Sequence, residues 1–451
     1  MRTRKEMLGS SLCLAFLFGA ASGLDNGAAP TPPRGVTTWE LFNYNVSDVE
    51  LRALADGMVA TGLLAAGYDI LWLDDGWPAC DKLSGGCVTP TPRASDGTIV
   101  VDGTKFPNGL ASTVAYIHSR GLRAGIYTAP HSVTCGGFSA SLNHEAVDAA
   151  TFASWGIDAV KMDAGCRDDS SLHDGTLIAS LDRMRDALNA TGRRMVLYVD
   201  DGNPTSGPRV VNPNRRGWPT NEFTATHMAR GWGELVVSWC ATFGNMCKLW
   251  FDRRDSFGSL LDNAHQQMNL AWFQAPNTFL AADQMTIGQG GMSAGEERAE
   301  VYLYAALATP MFLSASPLRL SAEQLALVTN PEILAVNSDA DCTMATLVSP
   351  LFGHPRDARD ERWAADLWIK PLSDSSFVFV AINKDPSTAR TVVIYFGDSQ
   401  RGTGTDIFPA GVGRLARVRD LAARSDLGVF ANQTAITIPP HDAAIVRVFP
   451  L

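Results

Sequence analysis

The sequence has no basic run, no CxxC pair and no His-rich tract. Past its first two dozen residues it has no apolar stretch long enough to span a bilayer. Each absence removes a class. With 37 Lys and Arg against 47 Asp and Glu, the net charge is −10, and the acidic residues are mixed among basic ones rather than massed in a tail. That excludes nucleic acid as a partner. Without metal-ligand spacing no metal site is expected, and no organic cofactor is called for. No integral membrane segment is expected in the mature chain.

What is present is a chain of 451 residues, 46% hydrophobic, which exceeds one compact domain and predicts two. Arg2, Arg4 and Lys5 precede the apolar stretch Leu12 to Ala20, followed by small residues at Ala21 and Gly23. This is the layout of a signal peptide over residues 1–23 and places the mature protein in the secretory pathway, secreted or lysosomal/vacuolar. Of 8 cysteines, Cys13 leaves with that leader. The odd remainder leaves at least one thiol without an intrachain partner, assigned to Cys342. Cys80 with Cys87, and Cys240 with Cys247, are close enough to staple loops, while Cys135 and Cys166 each follow an expected strand end. Sequons at Asn45, Asn189 and Asn432 suit glycosylated surface loops.

From residue 24 to 336 short apolar runs alternate with helical stretches, the pattern of a parallel sheet wound with helices. The runs are Gly35 to Trp39, Tyr68 to Leu73, Leu122 to Tyr127, Ile157 to Met162, Met195 to Val199, one near Leu249, Thr278 to Ala282, and Met311 to Leu313. Eight such units predict an α/β fold, a (β/α)8 TIM barrel. From 337 to 451 strand-like runs follow one another without helices: Leu367 to Ile369, Phe377 to Ile382, Val392 to Phe396, Ala435 to Ile438 and Ala444 to Phe449. These predict a C-terminal antiparallel β-sandwich.

The run Gly156 to Asp163 hangs a carboxylate on the end of an apolar strand, where parallel barrels carry their chemistry. Lys161 and Asp163, two apart, share a face, and the ammonium is expected to keep Asp163 ionised, as a nucleophile must be. Taken alone, that pair is better read as an ordinary salt bridge at a strand end. Other expected strands, however, end in Trp39, Asp74-Asp75, Tyr127, Asp200-Asp201, Lys248 with Asp252, and Asp283. Unrelated carboxylates so gathered would repel, whereas a neutral polyol supplies hydroxyl donors to all of them. Trp39 or Trp77 could cover a sugar's apolar face, although core packing explains each tryptophan as readily. Retaining glycoside hydrolysis needs two carboxylates, for which Asp163 suits attack; Asp252 or Asp255 suits protonation of the leaving oxygen.

The segments Gly35 to Phe42 (GVTTWELF), Leu73 to Trp77 (LDDGW), Phe106 to Gly109 (FPNG), Gly121 to Tyr127 (GLRAGIY), Thr151 to Asp163 (TFASWGIDAVKMD) and Gly288 to Met292 (GQGGM) resemble glycoside hydrolase family 27. Val418 to Leu421 with Asp426 to Gly428 extends the likeness into the C-terminal part. The resemblance implies a retaining exo-α-galactosidase acting on α-galactosides, with Asp163 as nucleophile and Asp252 as acid/base. It also implies substrate contacts from Trp39, Asp74, Asp75, Tyr127, Lys161, Asp200, Lys248 and Asp283, and a Cys135–Cys166 disulfide; the sequence does not decide oligomeric state, a homodimer being one option. Three departures stand out. Lys248 occupies a position that is ordinarily Arg, Asp200 one that is ordinarily Glu, and Ala281-Ala282-Asp283 keeps only the last carboxylate of an Asp-Pro-Asp. The loop after Asp200 bears on galactose against N-acetylgalactosamine, so an α-N-acetylgalactosaminidase stays open, Gly202 allowing the acetamido group and Asp201 pointing the other way. Lys248 and the unusual Arg253-Arg254 pair also leave open a catalytically weak galactoside-binding homologue.

Overall fold

The computed structural model describes residues 26–165, 176–200, 244–248, 252–267, 274–349, 364–396 and 415–451. The first large sheet is parallel and built from β1 (Arg34–Thr37), β2 (Ile70–Trp72), β5 (Arg123–Thr128), β6 (Ala159–Asp163), β7 (Val196–Asp200), β8 (Met246–Lys248), β9 (Phe279–Leu280) and β10 (Met311–Leu313). Its order is β10-β1-β2-β5-β6-β7-β8-β9, and the edges meet through a parallel bridge between Met285 and Leu313. All eight sequence-expected runs are therefore strands of one barrel. Between β2 and β5 stands a hairpin that hydrophobic patterning missed, β3 (Cys80–Leu83) and β4 (Cys87–Pro90), closed by the Cys80–Cys87 disulfide. Its residues are largely exposed, so no buried face marks it.

Alternation along β6 shows how the barrel sorts its residues. Ala159 joins the interior with Ile70, Trp72, Val196, Tyr198, Met246 and Phe312. Val160 and Met162 face outward into the layer between sheet and helices. By the same period Lys161 and Asp163 point into the mouth. A Cβ at Gly125 would lie 2.7 Å from the Trp72 ring, so glycine there lets an indole fill the interior.

The C-terminal sheet runs β11 (Thr346–Ser349), β12 (Ala365–Pro371), β13 (Phe377–Asn383), β18 (Asp442–Pro450), β15 (Leu415–Asp420), β16 (Ser425–Ala431), with β14 (Arg390–Tyr395) and β17 (Gln433–Ile438) as a separate antiparallel pair. Phe379 and Ala381 of β13 point into the sandwich core with Ile394, Val418 and Val446. Val378, Val380 and Ile382 point the other way, into the core shared with the barrel's Leu303 and Tyr304. Arg298, on the barrel helix Ala294–Ala306, clamps Asp442 through two hydrogen bonds of 2.9 and 2.6 Å. Strands β11, β15 and β16 were not read as strands from the sequence; β16 is almost wholly exposed and β15 interleaves Arg417 and Arg419 with its apolar positions.

Candidate active site

Parallel register aligns the strand ends. Tyr127 pairs with Lys161 and Lys161 with Tyr198; one step further, Asp163 pairs with Asp200 and Asp200 with Lys248. Charged side chains two apart on each strand thus form rows across the mouth. Lys161 Nζ lies 3.2 Å from Asp200, 3.5 Å from Asp74 and 3.9 Å from Asp163. Lys248, 1% exposed, lies 3.3 Å from the other oxygen of Asp200 and 3.0 Å from Asp283, and also pairs with Asp252. Two ammoniums therefore link five carboxylates, from Asp163 and Asp74 through Asp200 to Asp283 and Asp252.

Asp163 accepts a hydrogen bond from the Tyr127 hydroxyl at 3.0 Å and from Gly165 N at 3.0 Å. Burial, and then the charge of Asp200, push its pKa up to about 7, against the pull of Lys161 and Lys248. The pull of Lys161 on Asp163 expected from the sequence is present, but it is smaller than the opposing effects of burial and Asp200. The lysine sits closer to Asp200, whose carboxyl stays below the ordinary range despite burial because both Lys248 and Lys161 face it. Neutralising Asp200 removes the like charge and frees Lys161 for Asp163. Asp200→Asn is therefore expected to move the acid limb of the kcat/KM profile to lower pH by about one unit. An unmoved limb in a full pH–rate profile would show that the two carboxyls do not interact.

Asp74 and Asp75 follow β2, with Asp74 N bonded to Thr38 Oγ1 at 3.0 Å. Asp74 faces the cavity and Lys161. Asp75 lies deeper, 1% exposed, and its oxygens accept from Gly76 N and Gly136 N, each at 2.8 Å. Burial raises its pKa to about 6, against the bonds from Thr134 and Gly136. Gly76 has φ +99 and a Cβ there would stand 2.6 Å from Tyr44 Cα, so the turn that presents both aspartates requires glycine.

Asp283 adopts φ +76, a left-handed conformation that is uncommon for a non-glycine residue, and holds it with bonds from Arg253 N and Gln284 N, both 2.7 Å, and with Lys248. Burial raises its pKa, with Lys248 opposing. Asp252 is 86% exposed at the rim, whereas Asp255 accepts from Gly291 N within the glycine-rich loop. The two residues that spacing alone left as rivals thus stand in different surroundings.

Trp39 is half-buried: β1 ends at Thr37, and Trp39 opens the short helix Trp39–Phe42 rather than ending the strand, because Leu41 N and Phe42 N bond back to Thr38 O. It meets Tyr44 edge-on, ring centroids 5.2 Å apart. Trp77 is core, its Nε1 donating to Tyr127 O at 2.8 Å and its ring against Phe152 and Trp155. Trp72, Tyr198, Met246 and Phe312 line the cavity at the mouth beside Asp74, Lys161 and Asp283. Sequence reasoning missed those four apolar and aromatic residues, although Trp72 and Tyr198 lie two residues before Asp74 and Asp200, and period-two alternation would have found them.

Among the described residues no group of three His, Cys, Asp or Glu could hold a metal ion. Cys135 and Cys247 are disulfide-bonded, Cys342 is free and buried, and Cys166 and Cys240 lie outside the described residues, as do Asp201 and Gly202. Asn45, Asn189 and Asn432 are all exposed.

Comparison with known proteins adds an independent line. The family model described as Alpha galactosidase A matches residues 31–339, and that described as Alpha galactosidase C-terminal beta sandwich domain matches 363–448. A probable alpha-galactosidase of Dictyostelium discoideum is 28% identical over 449 residues, covering 98% of this chain and 99% of the relative. Alpha-galactosidase A of Homo sapiens is 29% identical over 403 residues, covering 85% and 82%. The crystal structure of alpha-galactosidase I from Mortierella vinacea superposes with a TM-score of 0.74 at 24% identity, covering 94% of this chain and 98% of that one, a likeness of fold. The two family matches run along the barrel and the sandwich alike, and the motifs LDDGW and KMD that carry part of the resemblance supply Asp74, Lys161 and Asp163 at the barrel's mouth: this chain belongs to the alpha-galactosidase A family, glycoside hydrolase family 27.

Proposed function

We propose that this chain is a retaining exo-α-galactosidase, in which Asp163 attacks the anomeric carbon and Asp252 protonates the departing oxygen. The observation that carries the reading is a half-buried carboxylate with a tyrosine hydroxyl on it, joined through Lys161, Asp200 and Lys248 to an exposed carboxylate at the rim. Attack forms a covalent galactosyl-enzyme. Asp252, now a carboxylate, takes a proton from water, which displaces Asp163 from the opposite face, so configuration is retained. Tyr127 steadies Asp163, and Asp74, Lys161 and Asp200 bind ring hydroxyls in the cavity. Asp75 fixes the loop that presents Asp74, Trp39 covers the sugar's apolar face, and Lys248 with Asp283 braces the side on which Asp252 stands. The exposed sequons and the Cys80–Cys87 disulfide support passage through the secretory pathway.

Proton NMR of the first-formed sugar, with aryl α-galactoside and aryl α-N-acetylgalactosaminide run side by side, tests the reading. The α-anomer of galactose is expected first, with a preference of roughly tenfold or more for the galactoside. Initial β-anomer ends the double-displacement mechanism. Faster release of the acetamido sugar transfers the assignment to an α-N-acetylgalactosaminidase.

A further inference from the structure

Asp252 stands at the rim with its side chain 86% exposed, yet the residue that follows it is fully buried. The Arg253 side chain runs inward to Glu300 on the helix Ala294–Ala306, Nη2 to Oε1 at 2.6 Å, and both side chains are 0% exposed. The same Nη2 donates to Thr286 Oγ1 at 3.0 Å, and Glu300 also accepts from Thr286 N and Ile287 N, each at 2.9 Å. Arg253 N donates to Asp283 Oδ2, the oxygen that faces Lys248. Main chain and side chain of Arg253 are thus pinned to two different parts of the barrel.

We propose that the Arg253–Glu300 pair is a positioning device for Asp252: it fixes the backbone from which the proposed acid/base projects and so governs proton delivery to the leaving oxygen without touching substrate. The inference rests on the reading of Asp252 given above. Stability alone does not account for the pair. Desolvating two charges offsets most of their attraction, and a well-packed apolar pair of similar volume often serves a core as well or better. Arg253 Nε and Nη1 moreover have no hydrogen-bond partner among the described residues, so the bridge rests on one nitrogen. What the pair does supply is orientation, because Nη2 is tied to a carboxylate and a hydroxyl at one end of the side chain while the backbone N–H is tied to Asp283 at the other, so both ends of the residue are anchored. An exposed general acid needs that, since it acts only within hydrogen-bond reach of the departing oxygen, and a misplacement of about 1 Å lowers rates on the order of 10²-fold.

The double variant Arg253→Met with Glu300→Gln keeps volume and leaves neither charge alone. Proton donation matters for a poor leaving group and hardly at all for a good one. On methyl α-galactoside kcat/KM is expected to fall about 10²-fold, and on 2,4-dinitrophenyl α-galactoside to stay within roughly threefold of the parent. Arg253→Lys keeps the charge pair but places its donor differently from Nη2 against Glu300 and Thr286; it should show the same asymmetry more weakly and covers the case in which the double variant does not fold. Equal losses on both substrates, or no loss on either, overturn the proposal. Asp252→Ala, measured alongside, should show the asymmetry at its largest. If it shows none, the acid/base reading itself fails; if it does and the Arg253 variants do not, only the positioning role fails.

Discussion

Asp163→Ala lowers turnover of p-nitrophenyl α-galactoside by about 10⁴-fold or more, in a protein that melts no lower than its parent near neutral-to-alkaline pH. The two halves of this expectation share a cause. Burial and the neighbouring Asp200 raise the Asp163 pKa from an ordinary 3.8 to about 7. A carboxyl whose folded pKa lies above its unfolded one contributes stability below the unfolded value and loses it as pH rises through the folded value. Above pH about 7 the wild-type chain therefore holds two ionised carboxylates in register, Asp163 and Asp200, and alanine relieves their repulsion. At low pH, where Asp163 keeps its proton, the variant gains nothing. A site that destabilises its own fold in this way is the usual trade between activity and stability.

The same variant separates attack from binding. With the carboxylate gone, azide can reach the anomeric carbon of 2,4-dinitrophenyl α-galactoside from the freed face and expel dinitrophenolate, giving β-galactosyl azide. Recovery of that product identifies Asp163 as the attacking group. Undiminished turnover in the absence of azide ends the assignment.

Lys248→Met is the second large effect, and it appears first in stability. The ammonium sits among Asp200, Asp252 and Asp283 at 1% exposure, and despite the burial that disfavours its charge these carboxylates hold its pKa well above the ordinary lysine value. Removing one partner of a buried ion pair typically costs about 3–5 kcal/mol, because the charges left behind are uncompensated. Here the carboxylates can take up protons instead. Without Lys248 their folded pKa values rise, so stability is present at low pH and lost as pH rises. The variant's deficit should accordingly be larger near pH about 8 than near pH about 5. Melting curves at the two pH values check this, and a deficit independent of pH would mean that packing of the aliphatic stem, rather than charge, is what Lys248 contributes. Activity falls with it, because Asp200 then has Lys161 as its remaining lysine, and Lys161 is drawn further from Asp163.

The barrel was legible because its signal is local. Eight apolar runs with helical stretches between them need only period and spacing to be recognised, and strand ends are where side chains two apart must share the mouth. The sandwich was legible only in part. Strands such as Phe377–Asn383, buried on both faces, announce themselves, while the exposed Ser425–Ala431 carries no apolar face to read. The strand beginning at Arg34 was placed correctly but run two residues too far, since Thr38 already accepts the first helical bonds.

By itself the sequence determined that Lys161, Asp163, Asp200 and Lys248 share the mouth, because they close their strands and side chains two apart on a strand share a face, whereas Asp74, Asp252 and Asp283 lie beyond the strand ends, where periodicity no longer aims a side chain. Only the tertiary structure decided how they divide the charge. Distance falls off too steeply in electrostatics for chain order to rank partners, so Lys161 could be assigned to Asp163 by spacing and still lie nearer Asp200. The same holds for Arg253, whose sequence neighbour is an exposed arginine and whose real partner, Glu300, is 47 positions away on a helix that only folding brings to it.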